Sequence, residues 1–174
     1  RGLGDVYKRQ TILSTAVLLF LDQIAKYLAV LHLKGQAAIP IIKNVFELQY
    51  LENQGAAFGI MQGKKTFFVI GTLIFLVIVV ILYHNIPLTK RFTPIRIVAV
   101  LIVAGAIGNM IDRVVHQYVI DFFYFKLINF PIFNVADIYV VVACIFFILL
   151  MLFYYKEAEL GQIFPFMKNK KAEE

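Results

Sequence analysis

Residues 105–137 have the sequence GAIGNMIDRVVHQYVIDFFYFKLINFPIFNVAD, which sets polar groups among segments apolar enough to lie in a bilayer. The stretch carries three aspartates, Asp112, Asp121 and Asp137. Ionisable groups at membrane depth cost roughly 2.5–3.5 kcal/mol each on insertion scales, so they are usually paired, solvated or functional. We therefore expect Asp121 and Asp137 to form a carboxylate pair around which the rest of the chain is organised.

Composition around this stretch predicts a polytopic membrane protein. Hydrophobic residues make up 61% of the 174 residues, and the mean hydropathy is +0.80. This hydrophobic fraction is well above that of a typical soluble domain. The pattern predicts an all-α membrane protein with four transmembrane helices, at about residues 11–31, 66–83, 95–111 and 134–155. Residues 11–155 then form one domain. Residues 1–10 are interpreted as a leader outside the fold that can be non-native, and residues 156–174 as a basic cytoplasmic tail.

The segment between the first two spans is too polar to cross a membrane. Phe46, Leu48 and Tyr50 alternate with polar residues, the period of a strand with one wet and one apolar face. We expect a small β-sheet that lies on the membrane surface at about residues 36–60, between the first two spans. The loop that follows carries Asn53 and Gly55, which suit either plain turn chemistry or contact with a substrate.

Polar residues inside the spans follow helical spacing. Asp22 and Lys26 are four apart, so they can neutralise each other on one helix face; a structural ion pair and a direct substrate contact both remain open. Gly105, Gly108 and Asn109 share a face in the third span, where glycines permit close helix contact. Asp112 is expected to pair with Arg113 or Lys126 and to hold the loop.

Charge indicates the orientation of the helices. The net charge is +6, which in a membrane protein points to topology and anionic headgroups and not to nucleic acid. If the N-terminus lies inside, the segments on the inner side of the membrane carry more Lys and Arg residues than the segments on the outer side. The positive-inside rule therefore favours both termini in the cytoplasm and the polar cluster at the outer leaflet.

Elimination narrows the chemistry. Ser14, the only serine, lies at the opposite end of the first span from the polar cluster, which excludes a serine nucleophile paired with a histidine base. The sequence contains neither H-E-x-x-H nor a Gly-rich phosphate loop, and Cys144 is the only cysteine. No metal and no cofactor are therefore expected, and carboxylates remain for catalysis.

Two coupled aspartates can activate water. In a site of low dielectric one carboxyl keeps its proton while the other accepts one from water, as in aspartic peptidases. Asp121 and Asp137 are sixteen residues apart with a proline between them, so spacing alone leaves structural pairing open. Asn134 and Asp137, three apart at the start of the fourth span, also suit a helix cap.

Five ordered motifs give the chain a family resemblance over residues 11–155. They are DQIAK (22–26), NQGAAF (53–58), GAIGNMIDR (105–113), VIDF (119–122) and FNVAD (133–137). Together they make the chain resemble the bacterial lipoprotein signal peptidases, or type II signal peptidases. The resemblance implies that Asp121 and Asp137 are the catalytic pair. It further implies that the following residues line, support or brace the site: Asp22, Lys26, Asn53, Gly55, Gly108, Asn109, Arg113, Asn134 and Ala136.

The resemblance also implies that the surface sheet is a periplasmic cradle for the substrate, and it implies what the substrate is and where it is cut. Family members remove the signal peptide from diacylglyceryl-modified prolipoproteins, cutting before the lipidated cysteine, and are blocked by globomycin-type inhibitors. The expected enzyme is thus an aspartic endopeptidase of the bacterial inner membrane, monomeric, multi-pass, in contact with membrane lipids and active at the outer leaflet. A competing interpretation is a small proton- or cation-coupled transporter subunit that uses Asp22, Asp112 and Asp137 as an ion path. A non-catalytic membrane scaffold is the third.

Overall fold

The computed structural model describes residues 2–55 and 65–164. Within these ranges, four helices are long and apolar enough to cross a membrane. They are α1 (Gly2–Leu33), α2 (Lys65–His84), α3 (Thr93–Val115) and α4 (Val135–Leu149), the last continued by a π-helical turn at Leu150–Tyr154. The predicted fold class, four transmembrane helices with a small surface sheet, is confirmed.

Helix α3 lies at the centre of the bundle and contacts α1, α2 and α4. Its glycines explain how closely α4 approaches. A Cβ atom on Gly105 would lie 2.6 Å from the carbonyl oxygen of Ala136 and 2.6 Å from Cγ2 of Val140. Only a residue without a side chain fits against the backbone at that distance, so the predicted close helix contact is confirmed.

The surface sheet has three antiparallel strands in the order β1-β2-β3: β1 (Ile39–Ile42), β2 (Phe46–Asn53) and β3 (Val119–Tyr124). The first two strands come from the segment that sequence periodicity assigned to the sheet. The expectation that the sheet lies only between the first two helices was wrong, because β3 follows α3. Residues 119–122 are all buried, so this strand lacks the alternation by which a half-exposed strand is recognised.

Both ends of the described chain differ from the expected boundaries. Helix α1 begins at Gly2 instead of Thr11, and the ring of Tyr7 lies 4.2 Å from the guanidinium carbon of Arg96 at the start of α3. A non-native origin of residues 1–10 stays a prediction. The expected tail begins with a short helix, α5 (Glu157–Ile163), which Arg91 holds through a 2.9 Å bond from Nε to Oε1 of Glu159. Residues 165–174 lie outside the described residues.

Candidate active site

Asp121 is held in the middle of the site by two neutral amides. It lies on β3 opposite Leu51 of β2 and is 1% exposed. Its Oδ2 accepts a hydrogen bond of 2.8 Å from Nδ2 of Asn53, and its Oδ1 accepts one of 2.6 Å from Nδ2 of Asn134. Neither donor is charged, so the Asp121 carboxyl lies in an environment that does not enforce ionisation.

Asp137 faces the same cluster from the first turn of α4. Asn134 caps this helix: its side-chain oxygen accepts from the Asp137 N–H at 3.1 Å, and Oδ2 of Asp137 accepts from the Asn134 N–H at 3.0 Å. This capping box is the arrangement that the three-residue spacing predicted. The other carboxylate oxygen, Oδ1, accepts from Nδ2 of Asn109 at 2.8 Å. Capping therefore does not occupy the whole carboxylate, which is half-buried.

A separate ionic group lies behind this pair. Nζ of Lys26 is 2.9 Å from Oδ2 of Asp22, 2.9 Å from Oδ2 of Asp112 and 3.0 Å from Oδ1 of Asn109. The predicted Asp22–Lys26 ion pair is confirmed, and with exposures of 0% and 1% neither residue is accessible to a substrate. The expectation that Asp112 pairs with Arg113 or Lys126 was wrong. Lys126 instead lies 2.7 Å from Glu47, because β3 carries it across to β2.

The four aspartates of the cluster divide into two electrostatic classes. Asp22 and Asp112 share the Lys26 ammonium, whereas no ion pair among the described residues involves Asp121 or Asp137. Burial raises the pKa of Asp121 to about 7, and the nearby Asp137 carboxylate raises it as well, against the bonds from Asn53 and Asn134 that lower it. Near neutral pH, Asp121 is therefore able both to hold a proton and to release one.

Arg113 lies at the edge of the site and ties the β2 loop to the bundle. Its Nη2 donates to the Gly55 carbonyl oxygen at 3.3 Å, and Nη1 donates to the Asn109 carbonyl oxygen at 3.4 Å. Its guanidinium carbon is 4.8 Å from the centre of the Phe68 ring on α2.

The loop after β2 begins with a turn. The Gly55 N–H donates to Oδ1 of Asn53 at 3.0 Å, which is the turn geometry that the sequence analysis considered for these two residues. Residues 56–59 of the expected substrate loop lie outside the described residues.

Small residues allow the ionic group to form. A Cβ atom on Gly108 would lie 2.6 Å from Oδ2 of Asp22, and Ala136, with 0% exposure, donates its N–H to Oδ1 of Asp22 at 2.9 Å. A side chain at position 108 would displace the Asp22 carboxylate, and its Cβ atom would also lie 3.3 Å from Cβ of Ala136. Gly108 and Ala136 thus support the site through their size.

Gln23 is a site residue that the sequence analysis missed. Its Nε2 atom lies 3.1 Å from Oδ1 of Asp112 and 3.2 Å from Oδ2 of Asp22. The side chain therefore donates to both carboxylates that share Lys26. Its position next to Asp22 in the sequence could have indicated this role. The four-residue helical spacing, however, predicted only Lys26 as a partner of Asp22.

The arrangement suits general acid–base chemistry on water. No group of three or more His, Cys, Asp and Glu side chains that could hold a metal ion occurs in residues 2–55 and 65–164. One fully buried carboxyl with a raised pKa lies beside a second, partly accessible carboxylate, both held by asparagines. Such a pair can take a proton from water and give one to a developing oxyanion.

Structural comparison places this fold in a class of membrane enzyme. Two similar solved structures are each described as a "Bacterial membrane enzyme structure by the in meso method", one at 2.3 Å and one at 1.9 Å resolution. The first has a TM-score of 0.71 and is 31% identical in sequence, and the match covers 82% of this chain and 87% of the other. The second has a TM-score of 0.72 and is also 31% identical, and the match covers 84% of this chain and 94% of the other. The class that the fold defines is thus a multi-pass membrane protein similar in structure to these two membrane enzymes.

Sequence comparison gives the family. The family model "Signal peptidase (SPase) II" matches residues 14–153. Curated relatives named lipoprotein signal peptidase include one from Caldanaerobacter subterraneus, 44% identical over 82% of this chain and 95% of its own length. The relative from Clostridioides difficile is 42% identical over 82% of this chain and 95% of its own length. The relative from Streptococcus pyogenes serotype M1 is 38% identical over 88% of this chain and 98% of its own length. The chain belongs to the signal peptidase II family.

Proposed function

We propose that this protein is an aspartic endopeptidase that removes the signal peptide from diacylglyceryl-modified prolipoproteins, cutting just before the lipidated cysteine. One observation carries the proposal: Asp121 and Asp137 are bridged by Asn134 and have no cationic partner among the described ion pairs, whereas Asp22 and Asp112 share Lys26. Family membership supports peptide cleavage, and it favours a peptidase over the transporter and the scaffold.

The surroundings of the two carboxyls suggest different roles for them. Asp137 lies in the first turn of α4 and accepts the Asn134 N–H, and a helix N-terminus favours the negative form of a carboxylate. Asp121 is more deeply buried, and its raised pKa favours the proton-bearing form. We assign Asp137 as the base that activates water and Asp121 as the acid that protonates the scissile carbonyl oxygen.

The hydrolysis then proceeds in two steps. Asp137 takes a proton from water while the water oxygen bonds to the scissile carbonyl carbon and Asp121 gives its proton to the carbonyl oxygen. The resulting gem-diol collapses as the C–N bond breaks: Asp137 gives its proton to the leaving nitrogen, and Asp121 takes back the proton of one hydroxyl. The products are a signal peptide with a new carboxyl end and an amine on the lipidated cysteine, and the enzyme returns to its starting state.

The remaining site residues have supporting roles in this proposal. Asn53, Asn109 and Asn134 orient the carboxyls, and Asp22 with Lys26, Gly108 and Ala136 braces the start of α4. Arg113 and Gly55 form the edge along which the substrate backbone passes. No cofactor or metal takes part, and a globomycin-type peptide competes for the same edge.

The membrane location follows from the substrate. A diacylglyceryl chain keeps the cysteine at the face of the bilayer, so cleavage requires carboxylates at that depth with access to water. The positive-inside rule favours both termini in the cytoplasm, which brings Asp121 and Asp137 to the outer leaflet of the inner membrane. The protein is proposed to act there as a monomer, in contact with membrane lipids.

Cleavage of matched substrates tests this function. The purified enzyme in lipid nanodiscs is given one prolipoprotein in two forms, with and without diacylglyceryl on the cysteine, and the products are identified by mass spectrometry. The proposal predicts a single cut before the cysteine in the lipidated form and inhibition by globomycin. Cutting at another bond, or equal cutting of both forms, would contradict it.

A further inference from the structure

We propose that Asp112 is a positioning residue that fixes the strand carrying Asp121 relative to the helix carrying Asp137, acting through an ionic clamp made of Asp22, Lys26 and Asp112. The proposal rests on the function proposed above and adds a role that the five motifs do not assign. It starts from the backbone hydrogen bonds of two residues, Ile120 and Ala136.

Each acidic member of the ionic clamp holds the residue that precedes one of the two site carboxyls. Oδ2 of Asp112 accepts the N–H of Ile120 at 3.1 Å, and Ile120 precedes Asp121. Oδ1 of Asp22 accepts the N–H of Ala136 at 2.9 Å, and Ala136 precedes Asp137. The two bonds therefore fix β3 and the first turn of α4 in the same way.

Lys26 joins the two halves of the clamp. Its ammonium lies 2.9 Å from a carboxylate oxygen of each aspartate, and all three residues are at most 1% exposed. Its third bond, 3.0 Å to Oδ1 of Asn109, connects it to Asp137 through that side chain, since Nδ2 of Asn109 donates to Oδ1 of Asp137 at 2.8 Å. A displacement of Asp112 is thus transmitted both to β3 and, through Lys26, to Asp137.

Asp112 itself does not have the surroundings of a reacting group. Its Oδ1 accepts from Nε2 of Gln23, and its Oδ2 already accepts from both Lys26 and the Ile120 N–H. With 1% exposure and both oxygens engaged, it has no route to a substrate or to water. Its effect on the reaction must therefore pass through the groups that it positions.

Substitution of Asp112 by asparagine perturbs the clamp in a defined way. Asparagine has one acceptor oxygen and two N–H donors, so it cannot accept on both sides as the carboxylate does. If its oxygen faces Lys26 and Ile120, its NH2 group faces the Nε2 donor of Gln23. Gln23 cannot relieve this clash by rotating its amide, because Nε2 also donates to Oδ2 of Asp22 and to the Gly108 carbonyl oxygen.

The pH profile reports this positioning without direct contact to substrate. The charged groups facing Asp121 are Asp137 on α4, Lys26 on α1 and Arg113 on α3. Release of β3 weakens the coupling between Asp121 and Asp137. Asp121 then loses its proton more readily, which moves the alkaline limb of activity to lower pH.

The experiment compares Asp112→Asn with a matched control, Glu47→Gln. Glu47 is also a carboxylate paired with a lysine, since its Oε1 lies 2.7 Å from Nζ of Lys126. It lies on β2 and takes no part in the clamp. We expect kcat of Asp112→Asn to fall roughly 10- to 100-fold, the scale of a misplaced reacting group, with KM unchanged and the alkaline limb shifted downward. Glu47→Gln is expected to keep the parent kcat and pH profile.

A triple variant keeps the test decisive if Asp112→Asn does not fold. Asp22→Asn, Lys26→Met and Asp112→Asn together remove every charge of the clamp, so no uncompensated ion stays buried. Since the three act as one unit, we expect the kcat of the folded triple variant to fall at least roughly tenfold below that of the parent. A folded triple or single variant with the parent kcat and pH profile would overturn the proposal.

Failure of the proposed function would look different. Asp121→Asn and Asp137→Asn are assayed in the same series. If either retains cleavage, the assignment of the two carboxyls is wrong and the positioning role of Asp112 fails with it. If both are inactive while Asp112→Asn behaves like the parent, only the positioning role is overturned.

Discussion

The side-chain amide of Asn134 donates a hydrogen bond of 2.6 Å to Oδ1 of Asp121. The same residue caps α4 by accepting the Asp137 N–H at 3.1 Å. A single side chain therefore connects the strand that carries one carboxyl to the helix that carries the other. Because Asn134 is 0% exposed, bulk water does not compete for these bonds in the parent protein.

The two roles of Asn134 are separable by substitution. Asn134→Ser keeps a side-chain oxygen suited to the N-cap but loses the amide donor to Asp121, whereas Asn134→Ala loses both. We expect the serine variant to melt close to the parent yet to cleave at least about tenfold more slowly. The alanine variant should lose at least about 1 kcal/mol of stability in addition. Thermal melting and initial rates check this, and a fully active serine variant would contradict the role in catalysis.

The raised pKa of Asp121 predicts a pH dependence of stability. A carboxyl whose folded-state pKa is about 7, against an ordinary 3.8, binds its proton more tightly in the folded state. Its contribution is fully present below 3.8 and is lost as pH rises through 7. We expect the parent to melt at lower temperature at pH 8 than at pH 5, and Asp121→Asn to reduce that difference. The difference between the two proteins isolates Asp121 from other titrating groups, and an equal pH effect in both would contradict the assignment.

Gly105 is predicted to be intolerant of any side chain. A Cβ atom there meets the Ala136 carbonyl oxygen at 2.6 Å, and backbone cannot give way as a flexible side chain can. Gly105→Ala should therefore lower stability by about 1–3 kcal/mol and reduce activity, since Ala136 precedes Asp137. Gly71→Ala on α2 is the matched control, because a Cβ there has nothing within 4 Å. That variant should be neutral or about 0.5–1 kcal/mol more stable, and similar melting of both would refute the packing argument.

The orientation of the protein is open to direct labelling. In a Cys144→Ser background, single cysteines are placed at Leu127 and at Leu88, which are 68% and 54% exposed and follow β3 and α2, respectively. A membrane-impermeant maleimide added to spheroplasts should label Leu127→Cys at once and Leu88→Cys only after permeabilisation. The reverse pattern would place the candidate site on the cytoplasmic face.

Local patterns predicted the helices and two contacts of the site, whereas the other site residues were expected only from the family resemblance. Apolar runs located the spans, and helical spacing identified the Asp22–Lys26 pair and the Asn134–Asp137 cap. The third strand was missed because residues 119–122 are buried on both faces and show no alternation. The partner of Asp112 was missed because Lys26 lies far away in sequence. Such contacts depend on how α1 and α3 pack, which no local pattern reports.

The most direct test of the account is the cleavage rate of the lipidated prolipoprotein by three proteins: the parent, Asp121→Asn and Asp137→Asn. Each variant removes one ionisable group from the pair with almost no change in size, and thermal melting in the same nanodiscs verifies the fold. The account predicts that both variants fold and that each loses cleavage by a factor of at least roughly 10², since a proton-transfer group contributes about 10²–10⁴. Cleavage within tenfold of the parent by either folded variant would contradict a two-aspartate mechanism.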